Sequence, residues 1–368
     1  MCSLRSKLTI LLLAGRILAT PPNPEIDAVL TPLSDNKAPG FAVLARTNGH
    51  NAFAGGYGVT DLRTFQKIDE HTNFRLASFT KQFTAMAIML LIHGGRLRYD
   101  ENLTEIFPGF PAYGRAITVR HLLTHTSGLM DYETLMEEKE KAQGPLWSAT
   151  KQIHDEDVLT LLAQQTHGDF PPGNKWAYSN SGYVVLGLIV AKVSGVPFAE
   201  FLRQHIFAPL KMTHTVAYVD GQNSVSHRAY GYSRKDGQWQ DTDQSATSAT
   251  LGDGGVYSNL ADLARWDEAL TSGKLLSKAE MMPALTPVKL NDGSGPMDHG
   301  KLVSYGFGWF LNPLAGRARQ WHTGETSGFR TVIERFPDES LTIVILANRT
   351  DLDPAQLAEK IASSYFSK

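Results

Sequence analysis

The stretch NFRLASFTKQFTAMAIML (Asn73–Leu90) places a serine and a lysine three residues apart where the chain turns apolar. On a helix, positions i and i+3 share a face, so the ammonium of Lys81 can reach the hydroxyl of Ser78. A serine in the first turn also lies among unpartnered backbone N–H groups, which favour negative charge. A lysine desolvated by apolar neighbours has a lowered pKa and can accept the serine proton. The stretch is typical of a nucleophile beside its base, although a serine cap beside a surface lysine gives the same pattern in isolation.

The composition limits the classes of function. Of 368 residues, 42% are hydrophobic and 20% are charged, which is ordinary for a globular protein. The 35 lysines and arginines nearly balance the 37 acidic residues, so we expect no nucleic-acid partner. The single cysteine, Cys2, excludes intrachain disulfides and zinc-thiolate clusters. No P-loop or G-x-G-x-x-G pattern occurs, and we expect no cofactor.

Residues 1–20 resemble a secretory signal peptide. Arg5 and Lys7 precede an apolar run from Leu8 to Ala14, and small residues and prolines follow. On this interpretation residues 21–368 form the exported protein, either periplasmic or secreted. If the start is misassigned, the protein is cytoplasmic. The run is too short to span a bilayer, and no other stretch is long enough, so we expect no stable membrane span.

Strand patterns lie near both ends of the chain. Close to the amino end, GFAVLARTNGHNAFAGGYGVTD (40–61) gives two β-like runs around the turn dipeptide Asn48-Gly49, which predicts a hairpin. Near the carboxyl end, four segments have the pattern of strands: Tyr305–Asn312, Ala318–Gly324, Phe329–Phe336 and Leu341–Asn348. The two chain ends are therefore predicted to share one sheet.

Helical patterns fill the region between these strands, and a last helix follows Pro354. The predicted helices are Ser78–His93, Ile117–His125, Asp157–Gln165, Ser181–Gly195, Pro197–Phe207 and Asn259–Leu270. We therefore predict the α/β class of α+β type: an antiparallel sheet built from both chain ends, flanked by helices, with a mostly helical lobe inserted at roughly residues 96–250. A cleft between the two parts is the expected ligand site, shaped by loops at 136–147 and 289–301.

A second candidate motif is AYSNSGY (177–183), between the turn PPGN (171–174) and a predicted helix. Tyr178 on such a loop can project its phenol into the cleft as a proton shuttle or hydrogen-bond donor. The carboxamide of Asn180 can align a substrate amide. Ser179 or Ser181 would equally serve as plain helix caps, so this motif alone does not decide the function.

A third candidate motif is WHTGETSGF (321–329), near the end of a predicted strand. Gly324 allows another backbone to approach closely, and the N–H that follows it can point into a cleft as an oxyanion donor. His322 can bind an anionic substrate group or assist proton transfer. The alternative is a hairpin end with an incidental histidine.

The three motifs together resemble those of the penicillin-recognising serine hydrolases. Ser78-Phe79-Thr80-Lys81, Tyr178-Ser179-Asn180 and His322-Thr323-Gly324 occur in the order and approximate spacing of that superfamily. The chain resembles the branch that holds class C β-lactamases and D-alanyl-D-alanine carboxypeptidases, with related esterases and D-aminopeptidases. HLLTHTSGL (121–129) and GDGGVYSNLADLARW (252–266) add to the resemblance, which runs from about residue 25 to the end and implies a β-lactamase/DD-peptidase-like fold.

The resemblance implies roles for individual residues. Ser78 is the expected acylated nucleophile, Lys81 its hydrogen-bonded partner, and Tyr178 the residue that relays protons to the leaving group and helps activate water. Whether Lys81 or Tyr178 is the acylation base stays open. The expected substrate-binding residues are Asn180, which holds the acyl-chain amide, with His322, Thr323, Gly324 and Glu325. The backbone N–H groups of Ser78 and Glu325 are the expected oxyanion donors.

The expected function is a serine hydrolase that cleaves amide or ester bonds of a small-molecule or peptide substrate through an acyl-enzyme on Ser78. The nearest activities are those of D-alanyl-D-alanine carboxypeptidases and β-lactamases. Class C β-lactamases carry lysine in the place of His322. Because histidine is a weaker, titratable partner for an anion, we rank efficient β-lactamase activity lower. The alternatives are a carboxylesterase for small esters and a non-catalytic penicillin-binding sensor or scaffold on the same fold.

The sequence favours neither a zinc site nor an α/β-hydrolase. His121 and His125 have the i, i+4 spacing of a zinc motif, but the residues between them include no glutamate, so we expect no metal. The G-x-S-x-G pattern of the α/β-hydrolase elbow is absent. The oligomeric state does not follow from the sequence.

Overall fold

The protein is described over residues 24–366 by a computed structural model, so the predicted signal peptide lies outside the described residues. The strands, in chain order, are β1 (Phe41–Thr47), β2 (His50–Tyr57), β3 (Phe74–Arg75), β4 (Val216–Ala217), β5 (Tyr232–Lys235), β6 (Gln238–Asp241), β7 (Val256–Ser258), β8 (Met297–Asp298), β9 (Lys301–Leu302), β10 (Gln320–Thr326), β11 (Phe329–Phe336) and β12 (Leu341–Ala347).

The helices complete the described chain. They are α1 (Pro24–Leu30), α2 (Lys81–His93), α3 (Leu103–Ile106), α4 (Val119–Leu123), α5 (Tyr132–Gln143), α6 (Asp155–Ala163), α7 (Asn180–Ser194), α8 (Phe198–Leu202), α9 (Leu260–Ser272), α10 (Lys278–Met281) and α11 (Pro354–Phe366). A short 3₁₀ turn, Ala77–Thr80, precedes α2, and a π-helical turn, Arg203–Phe207, extends α8.

The main sheet joins the two ends of the chain. Its strand order is β10-β11-β12-β1-β2, and each neighbouring pair is antiparallel. The β1–β2 hairpin turns at Asn48 and Gly49, both with the positive φ of a type I′ turn. This confirms the predicted antiparallel sheet built from both chain ends, flanked by helices.

Both faces of the sheet are buried, because each face packs against helices. Alternate residues of a strand point to opposite faces. In β1, Phe41 and Val43 belong to a core shared with α1 and α11, whereas Ala42 and Leu44 face the larger core. The larger core also holds the buried faces of α2, α7 and α9. The central strands therefore consist almost entirely of apolar residues rather than alternating apolar and polar ones.

Helix α7 is the central element of the inserted helical part. It packs against α2, α4, α6 and α8, and most of its residues are buried. The contact with α2 matters for the site, because it brings the start of α7 beside the residues that precede α2. The boundaries of the lobe at roughly residues 96–250 stay a prediction.

Two local predictions were wrong. Tyr305–Asn312 is not a strand: the chain folds back on itself, with a bridge between Tyr305 and Phe310. Gly308 in this turn has φ +74°, and a Cβ there would come within 2.9 Å of the backbone of Lys81, so close packing on α2 dictates the turn. The expected loop at 136–147 is helical as far as Gln143, because Asp131 caps α5 by accepting from the N–H of Thr134.

No single helix among residues 24–366 is both long and apolar enough to cross a membrane. Helix α7 and the segment Phe198–Phe207 satisfy the length and composition only when they are taken as a pair, and the two are bent by 77° at the break between them.

A buried carboxylate fastens α9 to the sheet. Asp267 accepts from the Nε atoms of Arg46 (3.0 Å) and Arg335 (2.8 Å) and from the hydroxyl of Thr342 (2.7 Å). These partners lie on β1, β11 and β12, so one side chain ties a helix to three adjacent strands. Both arginines and Asp267 are buried, so each charge depends on the others for compensation.

Replacement of Asp267 by alanine is expected to lower the free energy of unfolding by about 3–5 kcal/mol, because it leaves two guanidinium groups buried without their carboxylate. Urea denaturation of Asp267→Ala and the parent protein measures the difference. Glu268→Ala, an exposed acidic neighbour on the same helix, is the matched control and should change stability by less than about 0.5 kcal/mol. A loss below about 1 kcal/mol for Asp267→Ala would contradict the expected role of the cluster.

Candidate active site

Ser78 lies in the 3₁₀ turn Ala77–Thr80, immediately before α2. Ala77 has φ +50°, an uncommon backbone conformation for a non-glycine residue. The hydroxyl of Thr331 donates to the carbonyl of Leu76 (2.8 Å), and a Cβ on Gly324 would lie only 2.0 Å from that same oxygen. The serine turn is therefore fixed against the β10–β11 edge of the sheet, and only glycine permits this approach.

Lys81 is fully buried and its ammonium makes three hydrogen bonds. Nζ donates to Ser78 Oγ (3.0 Å), to Asn180 Oδ1 (2.9 Å) and to the backbone carbonyl of Asp253 (3.0 Å). Burial lowers the pKa of Lys81 to about 8, against the nearby carboxylates of Asp253 and Glu133, which raise it. At pH 7 about a tenth of the lysine is therefore neutral and can accept the proton of Ser78, and this fraction rises with pH.

Tyr178 lies beside the same pair and is open to solvent over 37% of its surface. Its ring centre is 4.9 Å from Lys81 Nζ, and its hydroxyl interacts with Ser78. Desolvation raises the pKa of Tyr178 well above its usual value, although the hydrogen bond with Ser78 lowers it. The phenol is therefore protonated over the whole working pH range and can act as a donor.

Asn180 begins α7 and turns its Oδ1 to Lys81. Lysine only donates, so the oxygen is the atom that faces it and the Nδ2 group is left for a substrate carbonyl. Ser179 caps the helix by accepting from the N–H of Gly182 (3.0 Å). Ser181 is not a cap: its Oγ donates to the carbonyl of Met130, 2.7 Å away.

His322 is buried on β10, and both of its ring nitrogens have hydrogen-bond partners. It is 1% exposed, its Nδ1 donates to the carbonyl of Thr323 (2.6 Å), and its Nε2 accepts from the hydroxyl of Tyr305 (3.2 Å). Burial and the charge of Lys81 lower its pKa to about 3. The ring is therefore neutral and both its nitrogens have protein partners; its predicted part in anion binding or proton transfer stays a prediction.

Glu325 and its neighbours lie on the edge strand of the sheet. The Glu325 side chain is 68% exposed and pairs with Arg330 at 3.4 Å, so it points away from the buried core. In a hairpin with a two-residue turn, the pair next to the turn, here Thr326 and Phe329, is hydrogen-bonded. The next pair in an antiparallel ladder is not hydrogen-bonded, so the N–H of Glu325 points away from β11. This direction is the one an oxyanion donor needs. The oxyanion role of this N–H and of that of Ser78 stays a prediction.

The predicted residues thus come together from three parts of the chain. The serine turn, the start of α7 and strand β10 supply Ser78 with Lys81, Tyr178 with Asn180, and His322 to Glu325. Sequence reasoning missed Tyr305, which lies in the segment interpreted as a strand and bonds to His322. It also missed the Asp253 carbonyl, which accepts a hydrogen bond from Lys81, although Asp253 lies in the segment 252–266 that adds to the family resemblance.

His121 and His125, which have the spacing of a zinc motif, accept hydrogen bonds from the backbone. Nδ1 of His121 accepts from the backbone N–H of Thr118 (3.2 Å), and Nδ1 of His125 accepts from that of Ser179 (3.0 Å). Within the described residues, no group of three or more histidine, cysteine, aspartate or glutamate side chains is placed to hold a metal ion.

Comparison with known proteins agrees with this geometry. The family model described as Beta-lactamase matches residues 26–365. A penicillin-binding protein of Bacillus subtilis is 33% identical over 323 residues, which are 84% of this chain and 68% of that protein. The penicillin-binding protein of Bacillus halodurans (TM-score 0.76, 25% identity) has a similar structure over 94% of this chain and 100% of its own.

The D-amino acid amidase of Ochrobactrum anthropi SV3, solved with L-phenylalanine amide, has a similar structure as well. Its TM-score is 0.73 at 25% identity, over 88% of this chain and 90% of that chain. Penicillin-binding proteins and an amidase thus share the sheet and helices that hold Ser78, Lys81 and Tyr178 here. The chain belongs to the beta-lactamase family and is a serine hydrolase.

Proposed function

We propose that the protein hydrolyses amide or ester bonds through an acyl-enzyme on Ser78, with Lys81 as the base. The supporting observation is the contact between Lys81 Nζ and Ser78 Oγ, 3.0 Å apart with the lysine buried and its pKa lowered to about 8. Tyr178 is a poor candidate for the base, because a phenol with its ordinary pKa of about 10 is already protonated near neutral pH and the pKa of Tyr178 is raised above that value. We therefore propose Lys81 rather than Tyr178 as the acylation base.

The proposed reaction has two halves. Neutral Lys81 takes the hydroxyl proton as Ser78 Oγ attacks the carbonyl carbon, and the oxyanion meets the N–H groups of Ser78 and Glu325. The tetrahedral intermediate then collapses and the bond to the leaving group breaks. Tyr178 passes its proton to that group, and the protonated Lys81 replaces the proton on Tyr178. Water then attacks the carbonyl carbon of the Ser78 ester and loses a proton to the same pair. The bond from that carbon to Ser78 Oγ breaks, the pair returns the proton to Oγ, and the acid is released.

The charges at the site favour substrates whose leaving group carries no carboxylate. His322 is neutral and buried, so it does not supply the positive charge that a C-terminal carboxylate needs. Arg330, the guanidinium on the neighbouring strand, is held by Glu325 and by the carbonyls of Thr326 and Phe329. We therefore place D-amino-acid amides and small esters ahead of β-lactams and D-alanyl-D-alanine peptides, in line with the structural similarity to the D-amino acid amidase.

A substrate panel tests the proposal. It contains a D-amino-acid amide, its L-enantiomer, a short p-nitrophenyl ester, an acylated D-alanyl-D-alanine peptide and benzylpenicillin, with intact-protein mass spectrometry alongside. We expect kcat/KM for the D-amide or the ester to exceed that for either carboxylate substrate by about 10-fold or more, the scale of one lost charge-assisted contact.

Three other outcomes would count against the proposal. Faster release of D-alanine would favour a carboxypeptidase, and consumption of penicillin without a lasting adduct would favour a β-lactamase. A stoichiometric penicillin adduct with no turnover of any substrate would favour the sensor.

A further inference from the structure

His125 holds the backbone on both sides of Tyr178. The N–H of Ala177 donates to the His125 carbonyl (3.0 Å), and the N–H of Ser179 donates to its Nδ1 (3.0 Å). The imidazole also lies against the phenol, with ring centres 4.4 Å apart and planes inclined by 35°. His125 therefore binds the backbone N–H groups of the residues before and after Tyr178 and also packs against the tyrosine ring.

The imidazole of His125 is a permanent acceptor. Because Nδ1 accepts a backbone hydrogen bond, the ring proton is on Nε2. Burial lowers the pKa of His125 well below its usual value, and the charge of Lys81 lowers it further. The ring is fully buried among the aromatic rings of Tyr305 (4.6 Å) and Tyr183 (5.1 Å), so it stays neutral and Nδ1 stays free to accept.

The backbone of His125 is in an unusual conformation. Its φ is +59°, in the left-handed region, directly after the last residues of α4. Of the non-glycine residues, asparagine, aspartate and histidine enter this region most readily. Asparagine is also the residue whose side-chain oxygen can take the place of Nδ1. The position therefore combines a backbone requirement with a hydrogen-bond requirement, and few residue types satisfy both.

We propose that His125 is a positioning residue for Tyr178, which sets the place of the phenol beside Ser78 by fixing the backbone on both of its sides. His125 makes no hydrogen bond to Ser78 or Lys81 and acts only through the tyrosine loop. The proposal deepens the proposed function and rests on it for the relay role of Tyr178. A displacement of about 1 Å in a reacting group can lower a rate by about 10²-fold.

Two substitutions separate positioning from mere support of the fold. His125→Leu fills the buried space with a side chain that has no acceptor, whereas His125→Asn keeps an acceptor and tolerates the backbone conformation. We expect about a 10²-fold loss of kcat for His125→Leu and less than about a 5-fold loss for His125→Asn. His121→Leu removes a helix-capping contact four residues away, and should change kcat less than about 2-fold. His125→Ala replaces His125→Leu if the latter does not fold.

A double substitution tests the route through Tyr178. If His125 acts only by positioning the phenol, adding His125→Leu to Tyr178→Phe should lower kcat by less than about 3-fold more. Equal losses in His125→Leu and His125→Asn, or fully additive losses in the double variant, would overturn the proposal.

Hydrogen exchange of the Ser179 amide supplies a readout that needs no substrate. We expect faster exchange in His125→Leu than in the parent protein, and protection largely restored in His125→Asn. Equally slow exchange in both variants would overturn the proposal even if the parent protein hydrolysed nothing in the panel. The failure of the proposed function would appear instead as absence of turnover in the parent protein.

Discussion

Replacement of Ser78 by alanine is expected to lower kcat/KM by about 10⁴-fold or more on any substrate that the protein turns over. The substitution removes the only atom that can carry the acyl group in the proposed mechanism, and nucleophile deletions in serine hydrolases have effects of this size. The residual rate would come from the oxyanion donors and from substrate binding. Intact-protein mass spectrometry should also show no acyl adduct on the variant.

The matched control is Ser277→Ala, which removes a hydroxyl at the cap of the short helix α10. Loss of that cap should cost about 1 kcal/mol of stability and leave kcat/KM within about 2-fold. If Ser78→Ala retained more than about a tenth of the activity, another nucleophile would have to be sought. Equal thermal stability of Ser78→Ala and the parent protein would show that the loss is chemical.

Replacement of Lys81 by methionine is expected to lower the rate of acylation by about 10³-fold, within the range for loss of a general base. Methionine has a similar length and no charge, so it avoids leaving an unpaired buried cation. It does leave Asn180 Oδ1 and the Asp253 carbonyl without the donor that they share. Single-turnover kinetics with an activated ester measures acylation directly.

The pH profile of the parent protein is the first control for the lysine role. Because Lys81 must be neutral to act as a base and burial lowers its pKa to about 8, kcat/KM should rise as pH increases through about 8 and then level off. This limb should be absent in Lys81→Met. Lys192→Met, on the exposed side of α7, should keep both the rate and the limb. A rate within a few-fold of the parent in Lys81→Met would remove lysine from the mechanism.

The elements governed by local rules were predictable from the sequence. The Asn48-Gly49 turn needs positive φ at two residues. Strand β11 has the predicted bounds because Gly328 precedes it and Pro337 follows it, and both residues interrupt strands. Ser78 and Lys81 face each other because three residues make one helical turn, which needs no tertiary information.

The features that the sequence did not reveal depend on tertiary packing. The strand predicted at 305–312 has a strand-like composition, but its glycines allow a turn that packs on α2. The charge of His322 depends on burial and on Tyr305, which lies 17 residues away in the chain. The role of His125 depends on contacts with a loop about 50 residues later, which its i, i+4 relation to His121 does not reveal. None of these partners can be read from the periodicity of a single segment.

The joining of the chain ends in one sheet also affects how the protein is made. Strand β1 pairs with β12, so Phe41 finds its partner Ala347 only after roughly 300 more residues have been synthesised. At a translation rate of about 5–20 residues per second, that interval is about 15–60 s. Until then the edge of β1 that β12 later covers is open to pairing with other chains. A ribosome-bound chain cut short before β10 would contain Ser78 and Lys81, yet it would lack the sheet edge that completes the site, so hydrolysis should begin only after β10 to β12 have been synthesised.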